Sequence, residues 1–169
     1  IRITLFPDGK EWITGRALPC QLATWQQAGI TGWLAPPTYA RSLPQHKTGN
    51  YLACWLARQQ AQKHGGEEAI LTNHRGDWLE TATGNLWGWA DGQWWTPLAG
   101  DSIQTKTTDA DPAIVQHLCL PGLMRSRILK ILGKQGQPVN GQVWRQELVS
   151  EFDAIAYTNC VVELVPIQT

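Results

Sequence analysis

The first residues of the chain alternate between apolar and polar side chains. Ile1, Ile3 and Leu5 alternate with Arg2 and Thr4 before the turn residues Pro7–Gly9, a pattern typical of a β-strand that ends in a tight turn. Two short apolar stretches follow, Leu22–Trp25 and Ile30–Leu34. Because neither shows a clear period, we predict either two further strands or a strand and a turn.

The apolar period changes to that of a helix in three places. In Asn50–Lys63, alanine, leucine, glutamine and arginine predominate, and apolar residues recur at helical spacing before two glycines. A second helix is predicted for Leu123–Leu132, with Gly122 before it and Gly133 at its end. A third, short helix is predicted around Val143–Glu151.

Runs rich in β-branched and aromatic residues predict the remaining strands. Turn residues separate the first four, which indicates a meander in which consecutive strands are neighbours. The predicted strands are Glu68–Asn73, Trp78–Thr81, Asn85–Ala90, Gln93–Thr96, Ala154–Thr158 and Val161–Ile167. Residues 98–119 are mostly polar and are predicted to form a long loop or insertion. Helices interspersed with strands predict an α+β or α/β fold.

Composition limits the chain to one domain and excludes several partners. Its 169 residues are 43% hydrophobic, enough for one core, so residues 1–169 are predicted to form a single domain. The 14 basic and 14 acidic residues form no like-charge block, which excludes a nucleic-acid surface, and the apolar runs are too short to span a membrane. The four cysteines are widely spaced, which favours reduced thiols and a cytoplasmic location. No metal site is expected, because the histidines and cysteines lack a recognised ligand spacing.

Three residues at separate places in the chain together indicate a cofactor site. Lys47 precedes the first predicted helix, Glu80 ends a predicted strand, and Gly122 opens the second helix. Pyridoxal 5′-phosphate (PLP) needs a lysine for its aldehyde, a carboxylate beside its pyridine nitrogen and backbone N–H groups for its phosphate. A helix N-terminus offers such groups, so Leu123 and Met124 can bind through their backbones. Taken singly, each residue has a simpler interpretation as a surface lysine, a solvent-exposed acid or a helix cap.

Five sequence elements resemble, in the same order, those of the PLP enzymes of fold type IV. They are Lys47–Leu52, Glu80–Trp87, the pair Thr96–Pro97, Leu120–Arg125, and the closing Thr158–Cys160 with Val165–Ile167. This family includes the class IV aminotransferases for branched-chain and D-amino acids and the 4-amino-4-deoxychorismate lyases. The resemblance implies the large domain of such an enzyme, with an α/β pseudo-barrel-like fold, a small-molecule amino substrate and a homodimer in the full-length form.

The resemblance also implies a role for each matched residue. Lys47 resembles the lysine that forms the Schiff base and acts as acid and base, and Glu80 resembles the carboxylate at the pyridinium nitrogen. The other implied cofactor contacts are Tyr51 at the phenolic oxygen, Thr83, Gly84 and Asn85 beside the ring, and Leu123 and Met124 at the phosphate. Asn159 is implied to contact the substrate or the phosphate.

The chain also departs from the family pattern, and its details leave two reactions open. The smaller N-terminal domain of the family has no counterpart here, so we expect the chain to be a fragment of a larger protein. Met124, where the aminotransferases have threonine, and Asn159 favour a 4-amino-4-deoxychorismate lyase, which releases 4-aminobenzoate and pyruvate in folate synthesis. Tyr51 favours an aminotransferase instead.

A non-catalytic binding domain is a third hypothesis. Trp87, Trp89, Trp94 and Trp95 are close together in the sequence and could form a platform on which sugars stack. Their alternation within a predicted hairpin makes packing the simpler interpretation. A binding domain also leaves the combination of Lys47 and Glu80 without an explanation.

Overall fold

A computed structural model describes residues 1–99 and 119–168. The strands are β1 (Arg2–Leu5), β2 (Glu11–Thr14), β3 (Ile30–Ala35), β4 (Glu68–Thr72), β5 (Trp78–Thr81), β6 (Asn85–Ala90), β7 (Gln93–Pro97), β8 (Val139–Gln142), β9 (Ala154–Asn159) and β10 (Glu163–Gln168). The helices are α1 (Leu22–Ala28), α2 (Leu52–Lys63), α3 (Leu123–Lys134) and α4 (Gln146–Val149), with a 3₁₀ turn at Pro37–Tyr39. No helix in these two ranges is long and apolar enough to cross a membrane.

Eight of the strands form one mixed sheet in the order β5-β4-β3-β10-β9-β6-β7-β8. The pairs β3–β4, β3–β10 and β7–β8 are parallel, and the other neighbours are antiparallel. Strands β1 and β2 form a separate antiparallel hairpin. The alternation at the start of the chain predicts β1 and the turn after it, whereas sequence reasoning missed β2. This arrangement confirms the predicted mixed α/β class.

The predicted meander is wrong in one respect. The β4–β5 and β6–β7 hairpins both form, but β5 lies at an edge of the sheet and β6 pairs with β9 instead. Turn residues specify that the chain reverses, whereas the choice of a partner far along the chain depends on which apolar faces can be buried together. Asn85 therefore lies opposite Thr158, a residue from the other end of the sequence.

The prediction for Leu22–Trp25 as a strand or a turn and the predicted end of the second helix also need correction. Leu22–Trp25 belongs to a helix, α1, because Leu22 and Trp25 lie three residues apart on one face and pack together against the core. Helix α3 continues through Gly133 to Lys134, since one glycine costs a helix only about 1 kcal/mol. The predicted loop at 98–119 lies almost wholly outside the described residues, but its ends meet where Cys119 N–H donates to the carbonyl of Leu98 at 2.8 Å.

Helix α2 packs on one face of β3 and β4, and this packing sets the position of the candidate site. Its small residues Ala57 and Ala61 are fully buried and allow close approach to Ala69 and Leu71 of β4. Leu71 lies opposite Glu80 in the β4–β5 pair, and residues opposite each other share a face. Glu80 is therefore on the sheet face that α2 covers.

Candidate active site

Lys47 and Tyr51 lie together just before helix α2. The Lys47 Nζ donates to the Tyr51 hydroxyl at 3.3 Å and lies 5.4 Å from the centre of its ring. Both residues belong to the segment that leads into the helix, and Lys47 is exposed. An exposed amine beside a phenol is accessible to an aldehyde, as the predicted role of Lys47 requires.

Glu80 is a buried carboxyl group at the end of β5, and only 4% of its surface is exposed. Its Oε2 accepts the backbone N–H of Leu120 at 3.2 Å, and its Oε1 lies 3.9 Å from Nε of Arg41. Burial raises the pKa of Glu80 to about 7, against the opposing effects of Arg41, the Leu120 N–H and Lys47. The charge of Lys47 thus lowers the pKa of Glu80. The carboxyl group can form an ion pair with a positive group that is buried beside it.

Arg41 is a site residue that sequence reasoning missed. Its Nη2 donates to the carbonyl of His46 at 2.5 Å, and its guanidinium lies 5.9 Å from the centre of the Tyr51 ring. With its contact to Glu80, it joins the carboxyl group to the segment that carries Lys47. No local pattern marks this arginine; the one available signal is that a buried carboxylate generally needs a cation nearby.

The N-terminus of α3 lies beside Glu80 through the backbone of Leu120. The Leu120 N–H binds Glu80, and its carbonyl accepts the Asn85 side-chain amide at 2.7 Å. The first helical hydrogen bond runs from Ser126 to Gly122, so the N–H groups of Leu123 and Met124 lie in the first turn, where helical partners are lacking. Asn85 is itself buried, and its hydrogen bond to Leu120 stabilises the segment that leads into the helix.

Thr83 and Asn159 form a second group of predicted residues. The Asn159 amide donates to the Thr83 carbonyl at 3.2 Å, which joins the β5–β6 turn to the β9–β10 turn. Gly84 packs directly on β9, because an added Cβ there would overlap the carbonyl oxygen of Thr158. Since Gly84 and Asn85 follow Thr83 directly in the chain, this group adjoins the first one. The structure therefore gathers the predicted residues into two adjacent groups.

The four tryptophans of the β6–β7 hairpin pack against one another or against neighbouring aromatic rings. The Trp87 indole is almost fully buried and donates to the Thr158 hydroxyl at 2.9 Å. Trp89 and Trp94 make an edge-to-face contact with ring centres 4.8 Å apart. The packing interpretation accounts for both observations.

Replacing Gly122 with alanine is expected to weaken phosphate binding. A Cβ at this position would overlap Oδ1 of Asn85, so either the Asn85 side chain, which donates to the Leu120 carbonyl at the start of α3, or the first turn itself must shift. We expect affinity for inorganic phosphate or PLP to fall by about tenfold or more, measured by equilibrium dialysis. Gly133→Ala in the same helix is the control, because nothing lies within 4 Å of its added Cβ. That variant should gain about 0.5–1 kcal/mol of stability and bind normally; equal binding by both variants would contradict the role of the helix N-terminus.

The stability of the cofactor-free protein is expected to depend on Glu80 ionisation. Because burial raises its pKa from 4.5 to about 7, the folded state binds this proton more tightly than the unfolded state does. The stabilisation is fully present below pH 4.5 and is lost as pH rises through about 7. Glu68, whose pKa burial also raises, contributes in the same direction. Urea unfolding between about pH 4 and 8 should show a shallower decline in Glu80→Gln, and an unchanged decline would mean that Glu80 is not buried.

Comparison with known proteins identifies the family. The model of the class IV amino-transferases matches residues 2–169. The chain belongs to the class IV aminotransferase family. The branched-chain-amino-acid aminotransferase of Escherichia coli (strain K12) is 28% identical over 154 residues, which cover 91% of this chain and 42% of the relative. The chain therefore spans less than half the length of that relative.

Solved structures share the fold. The crystal structure of the Escherichia coli branched-chain amino acid aminotransferase has a TM-score of 0.67 and 24% identity, covering 93% of this chain and 47% of that one. A protein proposed to be a 4-amino-4-deoxychorismate lyase has a TM-score of 0.70 and 20% identity, covering 95% and 56%. Another branched-chain amino acid aminotransferase, complexed with N-(5′-phosphopyridoxyl)-L-glutamate, has a TM-score of 0.63 and 19% identity, covering 82% and 42%. At these identities the likeness establishes the fold alone.

These findings confirm the predicted family, fold class and assignment to a family of enzymes. The phosphopyridoxyl compound in the complexed aminotransferase agrees with the predicted cofactor. The individual residue roles, from Lys47 to Asn159, stay predictions.

Proposed function

We propose that this chain binds PLP between Lys47, Glu80 and the first turn of α3, in an enzyme that acts on a small amino substrate. The observation that carries the proposal is the buried Glu80 carboxyl group, held between Arg41 and the Leu120 N–H, with a pKa that the charge of Lys47 also lowers. A buried acid costs stability, so its presence beside an exposed lysine is typical of a functional site.

The chemistry of the residues present fits this cofactor. The amine of Lys47 suits an aldehyde, the Glu80 carboxyl suits a protonated ring nitrogen, and the first turn of α3 suits a phosphate dianion. Gly122 leaves room for close approach to the backbone, since any larger residue would meet Asn85. When bound, PLP supplies an electron sink that makes a bond at the substrate labile.

Each residue then has a distinct task. Lys47 holds the cofactor aldehyde at rest and moves a proton at the substrate carbon. Tyr51 fixes the lysine amine through its hydroxyl, at 3.3 Å. Glu80 holds the proton on the ring nitrogen, and the positive charge of Arg41 favours its ionised form.

For the reaction itself, we propose a 4-amino-4-deoxychorismate lyase. Lys47 would take a ring proton of the substrate, and the side chain would leave as pyruvate to give 4-aminobenzoate. Support comes from Met124 in the first turn of α3 and Asn159 at the β9–β10 turn, the two positions at which the chain resembles the lyases. A cytoplasmic homodimer that acts in folate synthesis is part of this proposal.

A branched-chain aminotransferase is the second candidate. The observation that favours it is the 28% identity to the Escherichia coli branched-chain-amino-acid aminotransferase. In this case Lys47 would move a proton at the substrate carbon, the substrate would leave as its keto acid, and its amino group would pass to an acceptor keto acid such as 2-oxoglutarate. Tyr51 and the sequence around it also resemble the aminotransferases.

Product analysis separates the two candidates. The complete protein that contains this sequence is loaded with PLP and incubated with 4-amino-4-deoxychorismate, or with leucine and 2-oxoglutarate. Release of 4-aminobenzoate and pyruvate in equal amounts supports the lyase, and formation of glutamate from leucine supports the aminotransferase. If the protein binds no PLP and releases neither product, the proposed function is wrong.

A further inference from the structure

A second carboxyl group, Glu68, is buried at the start of β4, outside the proposed cofactor contacts. Only 1% of its surface is exposed, and all five residues of β4 are buried. Its Oε1 accepts the backbone N–H of Ala69 at 3.0 Å, and its Oε2 accepts the Thr83 hydroxyl at 2.5 Å. A carboxyl group in such a position costs stability unless its hydrogen bonds compensate for the lost water.

The bond to Thr83 continues into two turns. Thr83 lies in the β5–β6 turn, three residues after Glu80. The Asn159 amide donates to the Thr83 carbonyl at 3.2 Å and to the Thr83 hydroxyl oxygen, which Glu68 holds, at 3.5 Å. The Asn159 side-chain oxygen then accepts the backbone N–H groups of Val161 and Val162 at 2.8 and 3.0 Å. One buried carboxyl group is thus connected, through two side chains, to both turns that carry the second group of site residues.

The two turns have little freedom to take another position. Thr81 closes the β5–β6 turn, because its hydroxyl accepts the Gly84 N–H at 2.9 Å and its own N–H donates to the Gly84 carbonyl at 2.8 Å. The contact of Gly84 with Thr158 then fixes the turn against β9. Within this frame the rotamer of Thr83 is the movable part, and Glu68 holds it.

We propose that Glu68 is a positioning residue, which orients Thr83 beside the cofactor and Asn159 toward the amino substrate without touching either ligand. This inference rests on the proposed function for its substrate. Its structural part, the dependence of both turns on Glu68, stands on the hydrogen bonds alone. Such supporting residues commonly decide whether a binding group lies within about 0.5 Å of its working position.

The test compares Glu68→Met, which keeps the volume and removes the acceptor, with Glu68→Gln, which keeps an acceptor oxygen. The complete protein is used, and Glu67→Met is the matched control, because Glu67 accepts the Thr31 N–H and lies outside this network. Hydrogen exchange of the cofactor-free protein is measured first. In Glu68→Met, we expect exchange at Val161 and Val162 to rise about tenfold, with Glu68→Gln and Glu67→Met near the wild type.

The second measurement uses the PLP-loaded enzyme. We expect Glu68→Met to raise KM for the amino substrate about tenfold with little change in kcat, and Glu68→Gln to restore it. Thr83→Val should have a similar effect, and the double variant should be no worse than either single one. Effects that multiply in the double variant, or exchange that rises equally throughout the domain, would overturn the proposal. If the wild type binds no PLP, the proposed function is wrong. The hydrogen-exchange data would still show whether the two turns depend on Glu68.

Discussion

Lys47→Ala is expected to abolish the visible absorption band of the PLP-loaded protein and to lower kcat at least about a thousandfold. The amine of Lys47 holds the aldehyde and moves the proton, so no other group takes over both tasks. Its hydroxyl partner Tyr51 stays in place, and the exposed position of Lys47 means that the substitution removes little buried surface. Absorption spectra and single-turnover rates of both proteins measure the effect.

The control for this prediction is Lys63→Ala. Lys63 is an exposed lysine in the last turn of α2, and its removal changes the net charge by the same amount. This variant should keep the band and the rate. A band that persists in Lys47→Ala and disappears in Lys63→Ala would reassign the cofactor lysine.

Glu80→Gln is expected to retain bound PLP and to lower kcat by about 10²- to 10³-fold. The amide has almost the same shape but cannot hold a proton on the ring nitrogen by charge. The substitution also removes a buried charge whose pKa burial raises against the opposing effect of Arg41, so the stability of the cofactor-free protein at about pH 7 should not fall. Steady-state rates, the position of the visible band and urea unfolding at about pH 7 distinguish the two effects.

Glu147→Gln supplies the comparison for Glu80→Gln. Glu147 is an exposed acid of α4, so losing its charge should change neither rate nor stability by much. A kcat in Glu80→Gln close to that of the wild type would exclude Glu80 as the partner of the ring nitrogen.

The sequence alone determined the local features of this protein. Helix α2, helix α3 and the two hairpins follow from short-range periodicity and turn residues, which act over a few positions. The candidates Lys47, Glu80 and Gly122 could also be found without a structure, because cofactor chemistry requires those residue types next to a helix or at a strand end. The order of the five sequence elements along the chain, compared with their order in a known family, was sufficient to identify the fold.

Only the tertiary structure decided which distant groups meet. The pairing of β6 with β9 places Asn85 opposite Thr158 and brings Asn159 to Thr83. The contact of Arg41 with Glu80 and the burial of Glu68 depend in the same way on residues far apart in the chain. Such contacts follow from which faces can be packed together at native density, a property of the whole domain that no local pattern records.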